Sequence, residues 1–411
     1  MNSKTNIENK KKYIKKGTKN FFKMTIALFL AGFVTFSILY CVQPILFVFS
    51  KDFSLTPVES SLSLSSATAM MGIGMLFTGP LSDKVGRKRV MTSSLLLAAF
   101  LTFLCSKMNS WEGVIFVRSL TGLALSGVTA VAMTYLSEEL SPRNLPFSMG
   151  LYISGNTIGG FFGRFLSSTL VQSTSWKVVL IWISVLAFIF SVLFLFLLPQ
   201  SRNFHTVSLN PYKIFTNFLL QWKHPILSKL FIMGFILMGS FVTVFNYIGY
   251  RLLSKPFSFH QDVISMLSFI YLVGVYSSPK AGTLIKKHKK SMMLLFSIII
   301  MIIGLFFSQM DQIILIILGL LLFSAGFFSA HSVISTWIGQ YSKYGRGYIS
   351  SIYLFSYYLG SSVLGTISGF FWTLQKWLGI SIFLTIILFI GIVLVIQLDD
   401  IVLEDKKYNF E

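Results

Sequence analysis

Between residues 24 and 398 the chain returns again and again to runs of about 20 apolar residues, and no polar stretch between them is long enough to make a soluble domain. A bilayer core takes about 20 mostly apolar residues per helix. That ruler predicts twelve spans, near residues 24–49, 58–81, 89–107, 112–135, 147–171, 177–199, 229–250, 262–281, 291–309, 313–337, 348–373 and 377–398. Only 12% of the residues are charged, against about 25% in a soluble domain, so a single-pass anchor on a soluble body is excluded. The first run is too long for a cleavable signal, and no small-residue cleavage site follows it. Cys41 and Cys105 lie in apolar runs and read as packing residues rather than as a disulfide or metal ligands.

Lysine and arginine collect on alternate sides of these spans. With the N-terminus inside, 26 of the 34 basic residues fall on cytoplasmic segments, including eight lysines in residues 1–23, and six fall outside. This is the positive-inside pattern, and it predicts that both termini are cytoplasmic. The net charge of +20 therefore reads as topology and contact with anionic lipid. No compact basic domain is present to bind nucleic acid.

The two halves also repeat. YISGNTIGGFFGR (152–164) aligns with YYLGSSVLGTISG (357–369), pairing Tyr152 with Tyr357, Gly155 with Gly360 and Gly160 with Gly365. FTGPLSDKVGRKRVM has a faded counterpart in KAGTLIKKHKKSMM. Duplicated halves are a transporter signature. The predicted fold is an all-α integral membrane protein, with twelve transmembrane helices in two six-helix bundles related by a pseudo-symmetric repeat. The expected divisions are a Lys-rich tail (1–23), an N-terminal bundle (24–199), a cytoplasmic linker (200–228), a C-terminal bundle (229–398) and a short cytoplasmic tail (399–411).

GPLSDKVGRKRV (79–90) resembles the signature of the major facilitator superfamily between its second and third helices, and the resemblance extends over nearly the whole chain. RSLTGLALSG (118–127) is similar to that superfamily's Arg-then-Gly motif. GLYISGNTIGG is similar to the glycine motif of its drug:proton antiporters, without the usual proline. Other segments, such as FFSAHSVISTWIG, look like the bacterial branch labelled arabinose-efflux or acriflavine-resistance permeases. Twelve helices, alternating access and export by proton antiport are what the resemblance implies.

Residue chemistry adds candidate sites. Asp83 closes a helix in a basic loop, where Gly79 and Gly86 permit turning or close approach. A carboxylate there suits the positive end of a helix in the other half. The resemblance places that partner near Gly347 and pairs Arg87 with Glu138 or Glu139. Gly155, Gly159 and Gly163 fall on one helix face, with Asn156, Gly160 and Arg164 on the next, and Gly122 follows Arg118 on a stripe of small residues. Such spacing predicts tight helix packing, and the resemblance adds a barrier to proton leak.

Arg118 and Arg164 are the only charges well inside spans. Each is costly in hydrocarbon and is expected to face a cavity or a partner. They pair with Glu59 and Glu112, or snorkel, or make the outer half of a cavity electropositive, which would favour a carboxylate or phosphate. Tyr40, Gln43, Asn246, Tyr247, His331 and Tyr357 are the other polar groups placed to line a path. None of the fourteen acidic residues lies deep inside a span, so His331 is the local candidate for proton exchange.

No phosphate-binding loop, metal-ligand spacing or nucleophile elbow is present. The chain is expected to be no enzyme, to need no cofactor, and to act as a monomer carrying a small organic molecule across the cytoplasmic membrane. Efflux by proton antiport is the first reading. A proton-coupled sugar or organic-anion carrier, import included, is the second.

Overall fold

The computed structural model describes residues 13–141, 144–203, 211–260, 264, 266–285, 287–341 and 346–408, which include helices and no strand. The helices are α1 (Lys19–Tyr40), α2 (Leu46–Asp52), α3 (Pro57–Val85), α4 (Arg87–Cys105), α5 (Trp111–Glu139), α6 (Leu145–Ser173), α7 (Trp176–Leu197), α8 (Pro211–Lys223), α9 (Pro225–Leu253), α10 (Val273–Leu284), α11 (Lys290–Phe307), α12 (Ile313–Tyr341) and α13 (Arg346–Tyr408). Among the described residues, nine helical stretches are long and apolar enough to cross a membrane.

Helix ends follow local chemistry. At the start of α3, Thr56 and Glu59 form a reciprocal capping box and Pro57 fills the first turn. Thr18 and Ser110 cap α1 and α5 with their hydroxyls. Gly86 ends α3 at φ +106, a conformation that L side chains rarely adopt.

Two predicted spans are broken. Residues 24–49 fold as α1, a 3₁₀ turn over Gln43–Ile45, and α2. Pro44 has no N–H to return to the Tyr40 carbonyl, so the α-helical ladder stops there. Residues 262–281 yield a 3₁₀ segment (Leu267–Leu272) that leads into α10. The eleventh and twelfth spans run together as α13, parted by non-helical backbone at Gln375 and Lys376.

The surface is apolar where a soluble protein's would be polar. Phe196 is 75% exposed and Phe116 64%, and α7 combines very high hydropathy with little burial. Such a face suits lipid tails. Inside, glycines let backbones touch. A side-chain carbon at Gly155, Gly159 or Gly163 of α6 would collide with the backbone of Phe29, Phe33 or Ser37 on α1. One at Gly122 of α5 would collide with the Ala67 carbonyl on α3. The contact recurs in the second half, where Gly360 of α13 abuts the Phe235 carbonyl on α9. Gly155 and Gly360 are the pair matched by the internal repeat, so the repeat is visible in the packing as well as in the sequence.

Candidate functional site

Both helix breaks lead to Arg164. Its guanidinium lies between two tyrosine rings, 4.0 Å from the centroid of Tyr40 and 3.9 Å from that of Tyr271. Nε donates to Gln43 Oε1 at 2.6 Å, and Nη1 donates to the Gly160 carbonyl at 2.7 Å. Gln43 belongs to the first break and Tyr271 to the second, whose hydroxyl donates to Gln43 Oε1 at 3.3 Å. Gln43 Nε2 in turn donates to Asn246 Oδ1 at 2.8 Å. First-half and second-half residues therefore form one buried polar cluster. Asn246 Nδ2 is left without a partner, and it lines the same small cavity as Arg164. No carboxylate of the described residues lies within 4.0 Å of Arg164. Sandwiching between aromatic faces is one way to hold such a charge in apolar surroundings.

Tyr40, Gln43, Arg164 and Asn246, each a candidate from sequence alone, thus stand together. Tyr271 completes the group and has no sequence mark, being one aromatic in an aromatic-rich chain. Arg118 stands elsewhere. Its Nε donates to the Ser63 carbonyl, Nη1 to Ile38 and Nη2 to Leu39, at 2.8–3.0 Å. The last two carbonyls are freed by the end of α1, so Arg118 caps a broken helix. Neither arginine pairs with Glu59, whose carboxylate serves Thr56, or with Glu112, which is exposed.

Four other candidates separate. His331 Nδ1 lies 2.8 Å from the Tyr353 hydroxyl, and its ring packs 4.8 Å from Tyr357. Tyr247 donates to the Gly365 carbonyl within the second half. Asn156 is set against Gly32 of α1, and its Oδ1 has no partner. His331 is nevertheless joined to the Arg164 cluster by aromatic faces: Phe327 at 6.1 Å, then Phe241 at 3.9 Å from Phe327, then Tyr271 at 5.3 Å from Phe241. Gly160 differs from its neighbours on α6, since the space beside it is taken by the Arg164 side chain.

A second cluster gathers at the far end of the first half. Arg87 pairs with Asp83 at 2.5 Å and with Glu138 at 2.7 Å, and it also reaches the Ser82 hydroxyl. Of the two acids proposed for Arg87, Glu138 is therefore the partner. Glu139 is buried and accepts from the Ser201 hydroxyl and the backbone N–H groups of Arg202 and Asn203, which pins the start of the linker to α5. Gly79 has open space beside it. The predicted partner region of Asp83, around Gly347, adjoins residues 342–345, which lie outside the described residues, and the side chain at 347 lies outside them too.

A twelve-span, glycine-packed helical pair with this loop cluster can be compared with known proteins. The profile described as "Major Facilitator Superfamily" matches residues 28–365. The chain belongs to that superfamily. An "Uncharacterized transporter" of Buchnera aphidicola subsp. Baizongia pistaciae is 63% identical over 388 residues, covering 94% of this chain and 96% of that protein. The "Inner membrane transport protein YnfM" of Escherichia coli K12 is 50% identical over 389 residues, covering 95% and 93%. In fold, the chain is similar to a bacterial homolog of the human lysosomal transporter Spinster, with TM-score 0.74, 10% identity and coverage of 94% and 98%. It is also similar to the nucleoside transporter NupG, with TM-score 0.72, 13% identity and coverage of 93% and 100%. As a member of the superfamily the chain is a multi-pass membrane transporter of small molecules and not an enzyme.

Proposed function

We propose that the chain is a secondary carrier that moves a small organic molecule across the cytoplasmic membrane by alternating access, exporting it in exchange for protons, with both termini in the cytoplasm. The observation that supports this reading is the Gln43–Asn246 bridge. It joins the halves beside an arginine with no carboxylate of the described residues within 4.0 Å, at a place where rocking of one bundle against the other must break it. The end of the bundle that carries Ser50, Ser60 and Tyr250 is closed by hydrogen bonds between the halves. On this assignment that end faces outward, and the Asp83–Arg87–Glu138 cluster faces the cytoplasm.

His331 is the proton-exchanging group in this scheme. It is the histidine within a span among the described residues, and the aromatic run from Phe327 to Tyr271 connects it to Arg164. A titratable imidazole in a span is a functional candidate by its cost alone. The resemblance to drug:proton antiporters supports the same direction and coupling.

The test is transport of a compound panel by the purified protein in liposomes, with and without a pH gradient. The expected result is saturable flux, accelerated by a gradient that drives protons against the substrate, with His331→Asn losing at least about 10-fold of that acceleration while keeping exchange at equal pH. Flux that rises linearly with concentration would mark a channel. Gradient-independent, saturable flux would leave a carrier without proton coupling.

A further inference from the structure

A second cavity opens at the Tyr250 end, wholly within the C-terminal half. Tyr250, Lys255, Trp372, Gln375, Lys376 and Trp377 are among its lining residues. Arg251 also borders it, but that guanidinium is engaged by the carbonyls of Ser308, Gln309 and Met310, with Asp311 at 3.6 Å. Lys255 and Lys376 differ, because no carboxylate of the described residues lies within 4.0 Å of either. The Lys376 ammonium lies 5.8 Å over the Trp372 ring. Lys376 also occupies the backbone break of α13 at φ 51 and ψ −134, a sparsely populated conformation for a non-glycine residue. Such a residue persists where its surroundings fix it, often at functional sites. One ammonium over an indole ring, with a second lysine lining the same cavity, forms a receptor for a flat molecule with a negative charge.

Among the described residues, Tyr250 alone lines both this cavity and the one holding Arg164. Its hydroxyl lies 2.7 Å from Ser50 Oγ and 2.7 Å from Ser60 Oγ, both on the opposite half. Its ring is 5.8 Å from Trp372 on one side and 5.6 Å from Phe47 on the other. The two hydroxyl contacts hold that ring across the halves.

We propose that the mouth at the Tyr250 end is a docking station for an organic anion, held by Lys255 and Lys376 against Trp372 and Trp377, and that Tyr250 is the gate between that station and Arg164. The gate rests on the reading of the Arg164 cluster as the carrier's central site; the station does not. A carboxylate on a planar aromatic or unsaturated body is the chemical class that fits both compartments. Each offers a cation beside aromatic faces, and cationic dyes are disfavoured in both.

The probes are 4-nitrobenzoate, its neutral amide 4-nitrobenzamide and the cation 4-nitrobenzylammonium, which share one quenching body and differ in charge. Quenching of tryptophan fluorescence is measured on the purified full chain. The benzoate is expected to quench saturably and with the lowest half-saturation of the three. Lys255→Gln with Lys376→Gln should raise that value about fivefold, as for two exposed charge contacts, and leave the amide unchanged. Lys107→Gln, at an exposed lysine of the first half that lines neither cavity, should leave the benzoate value unchanged. Equal affinity for the three probes, or an unchanged benzoate value in the Lys255 and Lys376 double variant, overturns the station.

For the gate, a cysteine at the buried Ser268, which lines the Arg164 cavity, is treated with an anionic methanethiosulfonate. Tyr250→Phe keeps the ring and removes both hydroxyl contacts, and it should speed the labelling about tenfold. An unchanged rate overturns the gate. Anion binding retained in a protein whose liposomes show no saturable flux would count against the carrier reading and leave the station standing.

Discussion

A guanidinium cannot shed its proton in a protein, so each buried arginine must be answered by something: Arg87 is met by carboxylates, and the two deep inside spans are answered differently. Arg118 is met by three carbonyls, two of them freed by the end of α1. Arg164 is met by ring faces, an amide and one carbonyl. The first arrangement leaves little to offer a ligand, whereas the second includes neighbours that move with the other half. Arg118→Gln should therefore lower stability by about 3 kcal/mol or more, since it strands buried carbonyls, while the surviving folded protein keeps the parent's order of substrate preference. Thermal unfolding in detergent and a competition series on the same preparation check the two parts. A changed preference with unchanged stability would put Arg118 in the transport path.

At the scale of elements, segments were legible where length and hydropathy decide them, and most predicted spans recur within a few residues of their expected limits, though the last runs on to Tyr408 and two are broken. Breaks were less legible. Pro44 is visible in the sequence, but a proline within a span is tolerated in membrane helices often enough that the 3₁₀ turn at Gln43 did not follow from it. The role of Arg118 depends on that break and was hidden with it. Tyr271 was missed because nothing local separates it from the many other aromatics, and only the fold brings it to Arg164. Gly155, Gly159 and Gly163 meet the backbone of α1 on the face that their spacing sets, yet sequence could not tell that Gly160, expected to pack with them, makes room for a side chain. Substituting Gly155 by Leu should force α1 and α6 apart and cost roughly 1–3 kcal/mol as overpacking. Gly150→Ala, where the space is open, should be neutral or stabilise by up to about 1 kcal/mol. Equal melting temperatures for the two variants would remove the backbone contact as a source of stability.

For the whole molecule, the charge asymmetry makes a statement about sidedness. A cysteine at Ser173 should react with an impermeant thiol reagent applied outside intact cells, and a cysteine at Lys84 should react after the membrane is opened. Both positions are exposed. Ser82, in the same loop region as Lys84, is buried against Arg87, so its silence would report burial rather than side. Reversed labelling would invert the assignment of the two ends and with it the direction of every step above. The superfamily was legible from the loop motif and the glycine pattern because those residues are fixed by backbone geometry and helix ends. The cargo was not, because it is selected by side chains that converge from distant parts of the chain.

Arg164 has one more consequence, which belongs to the membrane's voltage. On the proposed alternating-access cycle, this permanent positive charge, with no carboxylate of the described residues within 4.0 Å, crosses the same part of the field in every cycle. Moving one elementary charge through the full field is worth about 2.3 kcal/mol per 100 mV. On the proposed reading, a carrier loaded with a monovalent anion would be neutral at that place, whereas on the stroke that brings the proton back the guanidinium would be uncompensated. The potential would then act on that stroke, and a membrane negative inside would draw the anion-free arginine toward the cytoplasm.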